Sequence, residues 1–175
     1  MLGRAFIDEP MIQWPLGGAG DVATVTTMFS TLYETPIGQG LVYEAGDAEG
    51  VAVWVPPGGG AALLEADVGS RDRYGPLTLD GGARYGALWS WVESHLPSEP
   101  LWYLDALAVD PSRQAKGIGG ALLRFGLELG ERDGTGAFLE TSRERNVGYY
   151  ERFGFRVVDE GDAPGGGPHI WFMRR

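Results

Sequence analysis

A glycine-rich turn that contains a lysine is the part of the sequence whose residue types most directly suggest ligand binding. Residues 107–120 read LAVDPSRQAKGIGG; the apolar run up to Val109 predicts a strand, Pro111 prevents further ladder pairing, and a helix is expected to begin within Gly117–Gly120. Glycines let a ligand approach the backbone closely, and the first N–H groups of a helix are free donors at its positive end. The turn therefore favours a phosphate or pyrophosphate ligand.

Two common phosphate-binding motifs match this turn only in part. A P-loop requires Gly-Lys-Ser/Thr, whereas here Lys116 precedes Gly117. The dinucleotide pattern G-x-G-x-x-G fits Gly117 and Gly119, but Leu122 occupies the third position. A nucleotide-binding oxidoreductase is therefore a weaker alternative, and a strand–helix turn without a ligand is the other.

Composition and charge limit the classes of protein to which the chain can belong. Its 175 residues, of which 43% are hydrophobic, suit one folded domain, and a net charge of −10 weighs against nucleic-acid binding. The charge is uneven, since residues 1–100 carry 13 acids and 4 bases, whereas residues 113–156 carry 8 bases and 6 acids. This locally basic segment, with Arg113 and Lys116, indicates an anionic ligand, unless its arginines only decorate exposed helix faces.

Missing residue types exclude further chemistry. Cysteine is absent and the only histidines are His95 and His169, so we expect no disulfide, no cysteine nucleophile and no metal centre. The sequence has no apolar run of about 18 residues and no basic start followed by an apolar stretch. We therefore expect no membrane span, no signal peptide and a cytoplasmic location.

The periodicity of apolar residues predicts the elements that position this turn. Helices are expected at residues 1–7, 21–33 with Asp21 as the N-cap, 62–68, 82–95, 118–129 and 146–153. Strands are expected at residues 41–45, 51–55, 101–109, 137–141, 155–158 and 170–173, the first two as a hairpin. The second half thus alternates strand, helix, strand, helix, strand, strand, which predicts an α/β or α+β sheet with helices on its faces.

Several segments in order resemble the GNAT superfamily of N-acetyltransferases. Residues 114–119 (QAKGIG) are similar to the family signature Q/R-x-x-G-x-G/A, and residues 150–155 (YERFGF) are similar to its Y-x-x-x-G-F element. A more specific resemblance, to the puromycin N-acetyltransferase branch, rests on residues 102–104, 139–142, 145–146 and 173–174. The resemblance covers residues 101–175 well and residues 1–60 loosely.

The resemblance implies a single acetyltransferase domain over residues 1–175, with residues 1–100 on the acceptor side and 101–175 on the acetyl-CoA side. The implied fold is a GNAT-like α/β fold, with a mixed, mostly antiparallel sheet of about six strands that splays at the acyl-CoA site. The family begins with a strand, whereas this sequence begins with a helical pattern. Either that strand is missing, leaving an edge that a homodimer could cover, or the start is misassigned.

Acetyl-CoA is the donor that the resemblance implies. Its pyrophosphate is expected on the backbone of Gln114, Ala115, Lys116, Gly117, Ile118 and Gly119, with Gly120 alongside, and its pantetheine arm beside Leu107, Ala108 and Val109. Asn146 and Tyr149 are also expected near the cofactor. Arg143 occupies the position of the family's usual asparagine, and Asn146 has a helix N-cap as its alternative role.

Three side chains are candidates for the chemistry of acetyl transfer to an amine. The amine must lose a proton before attack, and Asp105, at the usual position of the family's general-base glutamate, or Glu140, on the next strand, could accept it directly or through water. Tyr150 matches the family's position for donating a proton to the leaving thiolate, and Tyr149 is the adjacent alternative. The absence of cysteine and of a Ser-His-Asp arrangement favours direct transfer over an acetyl-enzyme.

The acceptor is expected to be a small-molecule amine bound by the N-terminal half. Acids predominate there, and its large aromatic residues suit a hydrophobic amine such as an antibiotic, although Trp54 and Trp89 are better explained as core: Trp14, Trp54, Tyr74, Trp89 and Trp91. An acetyl-CoA-dependent N-acetyltransferase is thus the leading hypothesis. The alternative is a non-catalytic acyl-CoA-binding or sensor protein with the same fold.

Overall fold

The computed structural model describes residues 1–39, 41–59 and 74–175, so the helix expected at residues 62–68 lies outside the described part. Within it the helices are α1 (Leu2–Ala5), α2 (Pro10–Gln13), α3 (Val22–Leu32), α4 (Glu34–Gly38), α5 (Ala83–Glu93), α6 (Ile118–Asp133) and α7 (Glu144–Glu151). The strands are β1 (Val42–Ala45), β2 (Gly50–Val55), β3 (Trp102–Val109), β4 (Ala137–Thr141), β5 (Arg156–Asp162) and β6 (His169–Arg174). None of these helices is long and apolar enough to cross a lipid bilayer.

The six strands form one sheet in the order β1-β2-β3-β4-β6-β5. All neighbours are antiparallel except β3 and β4, which run parallel. The prediction of a mixed, mostly antiparallel sheet of about six strands is therefore confirmed. β1 and β5 are its edges, and the homodimer that would cover an edge stays a prediction.

The sheet opens between its two parallel strands. β3 and β4 pair only where Trp102 faces Ala137 and Tyr103 faces Phe138. From Leu104 to Val109, β3 pairs with β2 alone among the described residues. The backbone groups of β3 that would face β4 are consequently left without a ladder partner.

A β-bulge at Asp105 marks the start of this opening. On β2, Val53 faces Ala106 and the next residue, Trp54, faces Leu104, so Asp105 is the extra residue on β3. An extra residue shifts the alternation of side chains between the two faces. Leu104 accordingly packs with the α6 face of the sheet, whereas Ala106 packs with the α3 face.

Helices cover both faces of the sheet and enclose its core. The cluster on the side of α6 and α7 includes Trp54, Leu104, Leu123 and Tyr150. On the opposite face α3 and α5 cover two further clusters, whose buried members include Val25, Phe29, Tyr85, Leu88 and Phe172. Asp21 caps α3 as predicted, because its side chain accepts a hydrogen bond from the backbone N–H of Thr24 at 2.8 Å.

Two predicted boundaries are wrong for identifiable reasons. α6 continues to Asp133 and ends at Gly134, whose φ of +68° lets the backbone N–H of Thr135 turn back to the carbonyl of Gly130 at 2.8 Å. β5 begins at Arg156 and extends through polar residues to Asp162. Edge strands carry such charged, exposed residues because only one of their sides is paired.

Candidate active site

Unpartnered backbone N–H groups line the predicted phosphate loop, from Gln114 to the first turn of α6. No hydrogen bond from the N–H groups of Gln114 through Gly120 occurs within the described residues, and the first helical bond runs from Ala121 to the carbonyl of Gly117 at 2.9 Å. Ala115 and Gly117 both have left-handed backbone conformations, with φ of +61° and +83°. Consecutive free amides at a helix N-terminus are a suitable cradle for a phosphate group.

The cations near this loop differ from the expectation. Arg113, expected to add charge for the ligand, instead forms an ion pair with Glu49. Lys116 is exposed and has no ion-pair partner among the described residues. The free amides therefore supply more of the loop's capacity to hold an anion than the sequence alone indicated.

The strand residues expected beside the pantetheine arm follow the bulge on β3. Ala108 is buried, while Leu107 and Val109 are partly buried. They pair with β2, Leu107 opposite Ala52 and Ala108 opposite Val51, so their other side faces the opening toward β4. The Gln114 side chain links the loop to this strand by donating from Nε2 to the carbonyl of Val109 at 3.3 Å.

A cavity of about 100 Å³ lies at the other end of the opening, and residues from both faces of the sheet line it. This volume has room for several water molecules or a small acyl group. Its aromatic wall consists of Phe6, Phe29, Tyr33 and Trp89. Besides Tyr33, the polar side chains that line it come from four separate parts of the chain: Glu9, Asp105, Glu140, Thr141, Ser142, Asn146 and Tyr150.

The aromatic residues of this wall differ from those that the sequence suggested for an acceptor site. Trp54 and Tyr74 are 0% and 1% exposed and belong to the core. Trp89, expected to be core, is only partly buried and lines the cavity. Trp14 and Trp91 pack against a different cluster, on the α5 side of the sheet.

Both candidate bases line this cavity, and each accepts a hydrogen bond from a tyrosine hydroxyl. The hydroxyl of Tyr33 donates to Asp105 Oδ2 at 2.8 Å, and that of Tyr103 donates to Glu140 Oε1 at 2.8 Å. Burial raises the pKa of both tyrosines well above the usual value. Two neutral donors thus hold two carboxyl groups in fixed orientations on either side of the opening.

Glu140 has the more unusual environment of these two carboxyl groups. Its Oε2 atom is buried and has no hydrogen-bond partner among the described residues. Burial, reinforced by the negative charge of Asp105, raises the pKa of Glu140 to about 8, although the hydrogen bond from Tyr103 acts in the opposite direction. A carboxyl group with a pKa near neutrality can exchange a proton readily.

The adjacent tyrosines of α7 face different parts of the site. Tyr150 is 8% exposed and lines the cavity. Burial raises its pKa, so the hydroxyl stays protonated, and it has no hydrogen-bond acceptor among the described residues. Tyr149 instead lies beside the phosphate loop, since a Cβ atom at Gly119 would be 3.2 Å from the Tyr149 hydroxyl.

Asn146 does not cap a helix, which corrects that alternative. It lies within α7, whose N-cap is Arg143 without a side-chain capping bond. Its side-chain amide donates to Thr141 Oγ1 at 3.1 Å and borders the cavity. Asn146 therefore connects the end of β4 to the helix that carries Tyr150.

Glu9 makes a contact that no motif in the sequence indicated. Its carboxylate accepts hydrogen bonds from the Ser142 hydroxyl and, at 2.9 Å, from Arg143 Nε. The Glu9 and Arg143 side chains are only 14% and 18% exposed. Arg143 thus binds the N-terminal segment to the end of β4.

A sheet that opens beside a loop of free amides, with carboxyl and tyrosine hydroxyl groups on the far side, is the arrangement of an acyltransferase of the GNAT fold. The model of the Acetyltransferase (GNAT) family matches residues 60–155, and the chain belongs to this family.

Curated proteins and solved structures give the wider comparison. Over 90 residues, half of this chain, it is 37% identical to the mycothiol acetyltransferase of Acidimicrobium ferrooxidans, but it spans only 29% of that protein. It is 26% identical over 165 residues to an uncharacterized N-acetyltransferase of Schizosaccharomyces pombe, covering 86% of this chain and 66% of that one. A Drosophila melanogaster polyamine N-acetyltransferase, which forms N-acetylagmatine, shares the fold, with a TM-score of 0.65, 14% identity and coverage of 99% and 90%.

Proposed function

We propose that this protein is an acetyl-CoA-dependent N-acetyltransferase that acetylates a small amine by direct attack on the thioester. The observation that carries the proposal is the opening between β3 and β4, which connects free amides at Gln114–Gly120 to the cavity of Asp105, Glu140 and Tyr150. Membership of the GNAT family supports acetyl-CoA as the donor. The residues present fit that co-substrate, because unpartnered amides suit its pyrophosphate.

The chain's own groups would orient acetyl-CoA along the opening. The backbone N–H groups of Gln114–Gly120 would hold the pyrophosphate, and Lys116 would add charge. The unpaired side of Leu107–Val109 would hydrogen-bond the pantetheine amides as an additional strand does. Acetyl-CoA, when bound, supplies the electrophilic thioester carbonyl.

The two carboxyl groups would have different roles toward the amine, one in binding and one in proton removal. Asp105, held by Tyr33, would attract the substrate ammonium group. Glu140, whose Oε2 lacks a partner, would take one proton from the ammonium nitrogen, either directly or through a water molecule. With a pKa of about 8, the ionised form that accepts the proton is a strong base but a minor fraction at neutral pH, so the rate should rise as the pH rises toward 8.

Tyr150 would complete the reaction on the sulfur side. The neutral amine nitrogen forms the new C–N bond and loses its second proton to water, and the C–S bond breaks with its electron pair on sulfur. The hydroxyl of Tyr150, kept neutral by burial, would donate its proton to the departing thiolate and regain one from solvent. The products are the acetylamide, coenzyme A and one released proton.

Aromatic walls and carboxyl groups in the cavity suggest a hydrophobic amine as acceptor. Phe6, Phe29, Tyr33 and Trp89 would contact its apolar part, while Asp105 would pair with its charge. The resemblance to the puromycin N-acetyltransferase branch adds an antibiotic amine as a candidate. The polyamine-acetylating neighbour adds agmatine and polyamines as further compounds to test.

A thiol-release assay with acetyl-CoA over a panel of amines tests this function. The panel includes arylalkylamines, puromycin, agmatine and polyamines. For an active amine, we expect Glu140→Gln and Tyr150→Phe each to lower kcat by about 10²-fold, while coenzyme A still binds, because general acid–base groups contribute on this scale. Glu128→Gln and Tyr43→Phe are matched controls outside the cavity and should retain full activity.

The assay also separates the proposal from its alternative. Coenzyme A binding without thiol release on any amine, together with a background rate unchanged in Tyr150→Phe, would favour an acyl-CoA sensor. Absence of coenzyme A binding would contradict both the acetyltransferase and the sensor hypotheses.

A further inference from the structure

A cluster of two arginines and two aromatic rings lies on the surface beside the phosphate loop. We call Arg124, Tyr149, Arg152 and Phe153 the arginine–aromatic patch. The guanidinium carbon of Arg124 is 5.9 Å from the centre of the Phe153 ring, and that of Arg152 is 5.4 Å from the Tyr149 ring. The two ring centres are 5.3 Å apart, so the four side chains form a continuous row.

This patch adjoins the first turn of α6, where the free amides end. A Cβ atom at Gly120 would lie 3.3 Å from Phe153 Cζ and 3.5 Å from Arg124 Nη1. A Cβ atom at Gly119 would lie 3.2 Å from the hydroxyl of Tyr149. A group bound on the loop amides would thus have the patch as its immediate neighbour.

Neither arginine of the patch has a carboxylate partner among the described residues, although Arg113, Arg143 and Arg175 all do. Both guanidinium groups lie close enough to Tyr149 to lower the pKa of its hydroxyl, against the larger effect of burial. A guanidinium group stacked on a ring keeps the N–H donors at its edge available. In a chain with a net charge of −10, two adjacent unpaired cations indicate an anionic ligand.

We propose that Arg124 and Arg152 bind the 3′-phosphate of coenzyme A, so that the protein distinguishes coenzyme A from 3′-dephospho-coenzyme A. This inference rests on the proposed function, which assigns the pyrophosphate to the loop amides. The 3′-phosphate is carried by the ribose that is bonded directly to the pyrophosphate. With the pantetheine arm directed into the opening, that ribose must leave on the outer side of the loop, where the patch lies.

The chemistry of the patch suits a phosphomonoester. An arginine guanidinium group can donate two parallel hydrogen bonds to two phosphate oxygens, and the hydroxyl of Tyr149 provides a further donor. Because these groups are exposed to solvent, their combined contribution is smaller than that of buried ion pairs. Recognition at this distance from the thioester should change binding and leave the chemical step unaltered.

Titration calorimetry with coenzyme A and 3′-dephospho-coenzyme A tests the proposal without any acceptor. For the unsubstituted protein, we expect coenzyme A to bind about five- to tenfold more tightly, the effect of one or two exposed charge-assisted hydrogen bonds. In Arg124→Gln/Arg152→Gln the two ligands should bind within about twofold of each other, with the affinity for 3′-dephospho-coenzyme A unchanged. Arg132→Gln, which removes a charge from the far end of α6, should keep the full preference.

The two possible failures have different signatures. Equal affinities for both ligands in the unsubstituted protein, or a preference that survives the double substitution, would overturn the 3′-phosphate assignment and leave the proposed function intact. No binding of either ligand would instead overturn the proposed function. The Arg124→Lys/Arg152→Lys variant, which keeps the charges, should recover part of the preference.

Discussion

Replacing Glu140 with glutamine should make the protein more stable at alkaline pH, although the residue is proposed to be catalytic. The folded-state pKa of Glu140 is about 8, against 4.5 for an unperturbed glutamate. Between these values the folded protein keeps a proton that the unfolded chain releases. The free energy of unfolding must therefore fall as the pH rises through this window, and stay at the lower level above pH 8.

The pKa shift sets the size of this effect. A shift from 4.5 to about 8 corresponds to roughly 5 kcal/mol of stability lost between pH 4.5 and pH 8. This value is an upper bound, because Asp105 contributes to the shift and the cavity can admit water. Glutamine keeps an acceptor for the hydroxyl of Tyr103 but cannot ionise, so Glu140→Gln lacks the pH-dependent loss.

Urea unfolding of both proteins at pH 5 and pH 9 measures this difference. We expect the advantage of Glu140→Gln over the unsubstituted protein to grow by roughly 2–5 kcal/mol between the two pH values. Any pH-independent cost of the buried amide cancels in this comparison. Glu128→Gln, at a position 59% exposed on α6, should show no such growth. An equal difference at pH 5 and pH 9 would mean that Glu140 is not a desolvated carboxyl group in the folded protein.

Two further predictions concern packing and the N-terminal segment. A Cβ atom at Gly126 would lie 1.9 Å from Cε2 of the fully buried Trp54, so Gly126→Ala should destabilise the protein by about 1–3 kcal/mol in urea unfolding. Gly148→Ala, in open space on α7, should instead gain up to about 1 kcal/mol, and equal effects at both positions would contradict this packing. Glu9→Gln should cost about 1–3 kcal/mol, because it leaves Arg143 without its charged partner. An unchanged urea midpoint would mean that this ion pair does not help to hold the N-terminal segment.

Local signals were sufficient to predict most of the sheet and the turn that joins β3 to α6. The short apolar run at residues 137–139 located β4 at its observed bounds, and Asp21 was a recognisable N-cap. Gly117 likewise indicated the start of α6, because a residue with a left-handed backbone directly before a helix is often glycine. Each of these inferences uses residues a few positions apart, which the sequence places side by side.

Local sequence did not predict the role of a glycine or a charged residue where tertiary contacts determine that role. The helix expected at residues 118–129 ends too early, since Gly130 lies within α6, where a Cβ atom would approach the carbonyl of Thr135 to 3.1 Å. Arg113 suggested a ligand contact, but Glu49 neutralises it from a loop more than sixty positions away. No local pattern distinguishes a glycine that ends a helix from one that allows close packing.

The candidate site shows the same limit most clearly, since its carboxyl groups depend on distant partners. Tyr33 and Asp105 are 72 positions apart, and Tyr103 and Glu140 are 37 apart. Only the fold brings each tyrosine to its carboxyl group, and only the fold buries Glu140 beside Asp105 and so raises its pKa. The sequence could therefore name both carboxyl groups but could not assign them different roles.

The bulge at Asp105 explains how one strand serves both ends of the site. Without the extra residue, regular alternation would put Leu104 and Ala106 on the same face of the sheet. With it, Leu104 packs under α6 while Ala106 packs under α3, and Asp105 lies at the change of face. The β3 residues that follow continue into the phosphate loop, so the same strand carries both a cavity carboxyl group and the start of the amide cradle. Removing one residue from this bulge should therefore disturb the acceptor side and the cofactor side together, whereas substituting Asp105 alone should affect only the first.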